Sequence, residues 1–324
     1  MATLDLQVVT VEDSAAFVVG NVNFSAALVK DWIDFNAGKS AETCRTYTKA
    51  LKNFFCWMRA NNVAVPCRND VIAYSNDLCA TKSVRTARLY TTAVKIFSKW
   101  LASLSKGFTN FADGVELPKL VEEDETHTRE ALTLSEAKQV LKSFTGTDEK
   151  SLRDKCIMRI MFNCGLRAVE IVRLDCDDIE KRHGKIFLKV WGKGRKGKGA
   201  RVEIPKTVHS MILDYLNARN SKRKKGEPMF VSTSNRNRGQ RIQTQTVSRL
   251  AKKSFRTVGI DSPYIVCHSC RHTFATLLLE NGVDIDKVKA TLRHRSITTT
   301  EVYRHDLTAA KNNSVGVMCA LLDD

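Results

Sequence analysis

With 324 residues, 43% of them apolar, the chain has room for about two domains of roughly 100–200 residues each and is too apolar for a disordered tail. Lys+Arg 52 against Asp+Glu 35 gives a net charge of +17 and a pI near 9.5, which favours a polyanionic partner, since each neutralised phosphate releases condensed counterions. No signal peptide is read, no stretch approaches the roughly 20 apolar residues of a membrane span, and ten scattered cysteines suit reduced thiols, so membrane and export roles are set aside and a cytoplasmic protein is expected.

Residues 1–20 are acidic and apolar and yield no element. Four helices are predicted between Val22 and Leu104. The first, Phe24–Phe35, places Leu28, Trp32 and Phe35 near helical spacing. The second opens at Ser40 as N-cap and carries Tyr47, Leu51, Phe54, Phe55 and Met58 down one face. Asn69–Ala80 is the third. The fourth follows Ser83 with Leu89, Ala93, Ile96, Phe97 and Trp100 on a stripe. These aromatic stripes read as core. The opposite faces carry Arg45, Lys49, Lys52, Arg85, Arg88, Lys95 and Lys99, which suit either solvent or DNA.

Gly107–Glu130 contains Gly114, Pro118 and the acidic run Glu122–Glu125, the best linker candidate. Residues 1–112 are therefore assigned to a first domain, 113–130 to a linker and 131–324 to a second domain. Thr133-Leu134-Ser135-Glu136 forms a capping box that opens the second domain. Leu152–Gly165 reads as a buried helix ended by its glycine, and a short helix follows Arg167. Ile186–Trp191 and Ala200–Ile204 read as two strands around a Gly/Lys-rich turn, and the remainder as helical.

Charge is concentrated in this second part. From Lys181 to Arg256 there are 22 Lys+Arg, opposed only by Glu203, Asp214 and Glu227, an imbalance beyond that of an ordinary solvated surface. Gly192–Gly199 matches G-x-x-x-x-G-K but continues into Gly199, where a phosphate loop needs Ser or Thr, and it precedes a strand rather than a helix. A basic hairpin tip carrying Lys193, Arg195, Lys196 and Lys198 fits better. Cys267-His268-Ser269-Cys270 lacks a second cysteine pair, and no metal site is expected.

His268 and Arg271 share a helix face one turn apart, and Arg167 with Glu170 lies a hundred residues earlier. Phosphoryl transfer needs cationic donors around the non-bridging oxygens, and guanidinium forks suit that need. A tyrosine hydroxyl, with pKa near 10, needs nearby cations or a base to act as nucleophile. Tyr303 follows His294 by nine residues.

The order Gly165-Leu166-Arg167 with Glu170, Gly192-Lys193-Gly194, His268-x-x-Arg271, Leu292-x-His294 and Tyr303 resembles the tyrosine recombinase/integrase family over residues 130 to 320. The segment 22–104 looks like that family's core-binding domain. The resemblance implies a mainly α, two-domain DNA clamp: a four-helix core-binding domain and a mostly helical catalytic domain with a small β-hairpin or sheet. It implies that Arg167 and Arg271 hold the scissile phosphate, Lys193 protonates the departing 5′ oxygen, and His268 and His294 assist. Tyr303 attacks to give a 3′-phosphotyrosyl link. Glu170 would orient Arg167, while Arg45, Lys49, Arg85, Arg88, Arg195, Lys196, Lys198 and Arg241 are candidate DNA contacts. No metal, nucleotide or other cofactor is implied.

The implied partners are duplex DNA bearing a specific site and three further copies of the chain, the apolar tail Val315–Leu322 docking on a neighbour; an accessory protein is left open. Only about twenty residues precede the first helix, which suits a simple recombinase of the Xer or small integrase kind. Two positions depart from the family pattern. Arg293 stands where a glycine is usual, and the longer hairpin turn leaves Lys196 and Lys198 as alternatives to Lys193. A type IB topoisomerase with the same chemistry and a non-catalytic DNA-binding protein are the rival expectations.

Overall fold

The computed structural model describes residues 8–11, 14–19, 22–24, 31–32, 34–36, 41–104, 109–120, 130–191 and 197–293. The chain divides into two compact units, Met1–Thr126 and His127–Asp324. Helices dominate the described residues of both.

The first unit opens with a three-stranded antiparallel meander that the sequence reading lacks: β1 (Val8–Val11), β2 (Ser14–Val19) and β3 (Val22–Phe24). Phe17 pairs with Phe24, so Phe24 ends a strand rather than starting a helix. Helical residues resume around Trp32. Leu28 and Ser40 lie outside the described residues.

Three long helices follow: α1 (Ala41–Ala60), α2 (Arg68–Thr81) and α3 (Val84–Leu104). Leu51, Phe54 and Met58 recur at helical spacing on α1 and are buried against Val71, Tyr74 and Leu78 of α2 and Ala93, Phe97 and Trp100 of α3. Trp32 anchors this core, its ring edge-on to Phe97 at 5.4 Å and tilted against Trp100 at 5.4 Å. Each such pair contributes about 0.5–1.5 kcal/mol beyond its buried area. Two expected core residues are on the surface instead: Phe35 is 57% exposed and Leu89 40%, each lying at the edge of its stripe.

Part of the expected linker is packed structure. Ala112 and Val115 are buried in the first core. Arg68 donates to the Gly114 carbonyl (3.0 Å), Lys95 to that of Val115 and Arg88 to that of Pro118 (2.8 Å). These backbone acceptors hold the segment on α2 and α3. Arg88, expected to contact DNA, is thereby half-buried and occupied within its own unit.

In the second unit, α4 (Leu134–Lys142) opens on the Thr133 capping box, with Thr133 Oγ1 accepting from Glu136 N and Glu136 accepting from Thr133 N. Asp148 caps α5 (Glu149–Cys164), accepting from Lys150 N and Ser151 N, a cap that contributes about 1 kcal/mol. This helix is buried along Cys156, Ile157, Ile160 and Met161 and is the spine of the unit. It ends at Gly165, and α6 (Ala168–Val172) follows at once.

The two expected strands are present as β5 (Lys185–Val190) and β6 (Ala200–Ile204), and β4 (Ile179–Arg182) adds a third to make a small antiparallel sheet. Ile186, Leu188, Val190, Val202 and Ile204 alternate inward to the core. Then come α7 (Lys206–Ala218), α8 (Thr244–Thr257), α9 (Ser269–Glu280) and α10 (Ile285–Leu292). No described helix is long and apolar enough to cross a membrane.

Candidate active site

The site grows from the junction between α5 and α6. Gly165 adopts a left-handed φ of +60°, and a Cβ there would lie 2.7 Å from Phe274 and 2.9 Å from Leu292. Glycine is demanded both by the backbone and by the close approach of α9 and α10. The turn delivers Arg167 to the N-terminus of α6, where Glu170 Oε2 accepts from Arg167 N (2.9 Å) and Oε1 from Arg167 Nη1 (3.2 Å). Glu170 is 2% exposed, so this carboxylate fixes the arginine from inside the protein.

Helix α9 carries the second group. Ser269, Cys270, Arg271, His272 and Thr273 are all buried, so most of the motif is an internal girder. Thr273 Oγ1 accepts from Leu132 N (2.9 Å) and donates to the Ser269 carbonyl, joining α9 to the start of the unit. Burial pushes the Cys270 thiol well above its ordinary range.

Arg271 is fully buried, and its guanidinium donates Nη1 to the Gly165 carbonyl and Nη2 to that of Leu292. The resemblance implies that it grips phosphate; what the structure shows is that it ties together two chain segments, one leading into Arg167 and the other into His294.

A cavity of about 560 Å³ gathers Arg167, His268 and Arg271, with Met161, Leu166, Val266 and Cys267 as apolar wall and Ser248 and Lys252 from α8 at its side. His268, half-buried, stands at the start of α9, one turn from Arg271. Ser248 and Lys252 were not singled out from sequence. The signal was available: Val247, Ala251 and Phe255 form the buried stripe of α8, which places Ser248 and Lys252 along its flank. Lys252 is held by the Ser262 carbonyl (2.7 Å) and Asp261 (3.2 Å).

Lys193, Arg195, Lys196, His294 and Tyr303 lie outside the described residues. The C-terminal arm of the hairpin turn is described, and there, as at Arg241, a candidate DNA contact has partners within the unit. Lys198 donates to both Asp175 and Asp178. Arg241 donates to the carbonyls of Val172 (2.9 Å) and Leu174 (3.1 Å) and pairs with Asp175. Both cations thus have partners inside the unit, and Lys198 ties the C-terminal arm of the turn to the segment that follows α6. Burial opposes ionisation of Asp175, yet hydrogen bonds from Lys198 and Arg241 hold its carboxyl below the usual range. On the first unit Arg45, Lys49 and Arg85 are exposed, with Arg45 paired to Glu42 at 3.1 Å.

Residues 130–309 match the model of the phage integrase family. Among curated relatives, tyrosine recombinase XerD of Halalkalibacterium halodurans is 32% identical over 194 residues, covering 59% of this chain and 60% of its own length. Tyrosine recombinase XerA of Pyrococcus horikoshii is 36% identical over 153 residues, covering 47% of this chain and 50% of its own. The matched stretch thus spans half to three fifths of these relatives. Among solved structures, XerH site-specific recombinase bound to palindromic difH substrate shares the fold with a TM-score of 0.69 at 16% identity, covering 93% of this chain and 85% of that one. A lambda integrase dimer bound to a core site has a TM-score of 0.59 at 16% identity, covering 86% and 95%.

Proposed function

Since the chain belongs to the phage integrase family, we propose that it is a site-specific DNA recombinase that cuts and rejoins duplex DNA through a 3′-phosphotyrosyl intermediate. The observation that carries this is the cavity shared by Arg167, His268 and Arg271, which come from two helices over a hundred residues apart. Two guanidiniums and an imidazole around one low-dielectric pocket form a receptor for a phosphodiester and for the charge that builds on it during transfer.

In this reading the Tyr303 oxygen attacks the phosphorus. The new O–P bond forms as the bond to the 5′ oxygen breaks, and the tyrosine proton passes to His268. Lys193 gives a proton to the departing 5′ oxygen. Arg167 and Arg271 bind the non-bridging oxygens, with His294 adding a further donor. The phosphotyrosyl ester retains the energy of the broken bond, so a 5′-hydroxyl from a second duplex attacks it in reverse without nucleotide or metal. Lys193 is preferred over Lys198, whose ammonium is already shared by two carboxylates. The two units act as a clamp on DNA, four copies assemble on two sites, and the protein works on DNA in the cytoplasm.

The test is a random-sequence duplex pool with nicks that trap the cleaved state, incubated in EDTA, denatured and recovered on protein. A recovered consensus, with strand exchange between two duplexes bearing it, supports a recombinase. Relaxation of supercoiled plasmid without a consensus points to a topoisomerase, and specific binding without any covalent product to a DNA-binding protein.

A further inference from the structure

Arg293 occupies a position that its backbone disfavours. It closes α10 with φ +58°, the left-handed region that L side chains rarely adopt and that glycine enters freely. Its side chain, 13% exposed, turns inward, and Nη2 meets Glu170 Oε2 at 2.8 Å. Nη1 donates to the Thr291 carbonyl (2.9 Å), while Nε is buried with no hydrogen-bond partner among the described residues. Three unfavourable circumstances, a strained backbone, a buried cation and an unmatched N–H, converge on one contact with the carboxylate that also holds Arg167.

We propose that Arg293 is a positioning residue for Arg167, acting through Glu170; this rests on the recombinase reading above. With glycine at 293, the Arg167–Glu170 pair is neutral. With arginine, one buried carboxylate is shared by two guanidiniums and the trio carries one net positive charge. Glu170 is drawn partly onto Arg293, which leaves more of the Arg167 fork for a phosphate. The same contact ties the end of α10, and hence the residue preceding His294, to α6.

The test uses the full chain and the duplex recovered from the pool. Single-turnover cleavage at saturating duplex, duplex affinity and melting temperature are measured for the wild type, Arg293→Gly, Arg293→Met and Arg293→Lys. Arg293→Gly frees the backbone, so it folds and melts no lower than wild type. The expected result is a cleavage rate down about ten- to a hundredfold, the range for losing a group that orients a catalytic one, for both Gly and Met. Affinity falls much less, and Lys recovers most of the rate. In a Glu170→Gln background the loss on removing Arg293 shrinks. Arg293→Gly cleaving at the wild-type rate overturns the proposal, as does a rate loss that tracks melting temperature and is not recovered by Lys. A wild-type chain that cleaves no duplex is a separate result: it refutes the recombinase reading and takes this inference with it.

Discussion

Gly165 concentrates the constraints on the site in a single atom that is missing. Its left-handed φ disfavours any side chain by about 1–2 kcal/mol, and the close approach of Phe274 and Leu292 adds to that. Gly165→Ala is expected to lower stability by about 2–4 kcal/mol, read as a drop in denaturant midpoint without change of slope, and to slow cleavage because Arg167 follows two residues later. A midpoint equal to wild type would show that α9 and α10 move aside freely. Arg167, Glu170, His268 and Arg271 were legible in sequence because residue type, order and spacing survive without coordinates. For Arg88, Lys198 and Arg241 the sequence shows the charge but not the partner it meets. Their acceptors lie 30, 20 to 23 and 66 to 69 residues away, and several are carbonyl oxygens that no side-chain pattern reveals.

At the scale of elements, the acidic node Asp175–Asp178 anchors Lys198, on the arm that leads into β6. Because the Asp175 carboxyl is held below its usual value, its ion pairs stabilise the fold above the unfolded carboxylate pKa of about 3.9. That contribution is lost as pH falls from there through the lower folded value. Asp175→Asn should therefore lower stability at pH 7 and bring it closer to wild type as the medium is acidified below about pH 4, measured by denaturant unfolding across pH. A constant deficit at every pH would contradict the assignment. The helices were legible from their 3.6-residue stripes and caps, Thr133 and Gly165 above all. The meander β1–β3 was missed although Glu12-Asp13 and Gly20-Asn21 separate its strands by two residues each, because three short β-rich runs present little periodicity. Strand β4, with its exposed Lys181 and Arg182, shows no alternation to detect.

For the whole molecule, the net charge of +17 can act on a polyanion through the cations that remain exposed. Arg45 and Lys49 share a face of α1 one turn apart and Arg85 opens α3, so the double variant Arg45→Gln/Lys49→Gln should weaken duplex binding at all sequences alike. It should also reduce the slope of log affinity against log salt by about 1.8, which is about 0.9 for each phosphate no longer neutralised. An unchanged slope would remove this face from the DNA interface. The same double variant should leave the saturating cleavage rate near wild type, separating capture of the duplex from chemistry on it.

The central claim is the identity of the nucleophile and the polarity of the link. Covalent complexes formed in EDTA would be digested with trypsin and nuclease, and the nucleotide-bearing peptide sequenced by tandem mass spectrometry. The account predicts a single modified residue, Tyr303, joined to a 3′-phosphate, a 5′-hydroxyl on the released strand, and loss of every adduct in Tyr303→Phe. An adduct on another residue, a link through a 5′-phosphate, or an adduct that persists in Tyr303→Phe would contradict it.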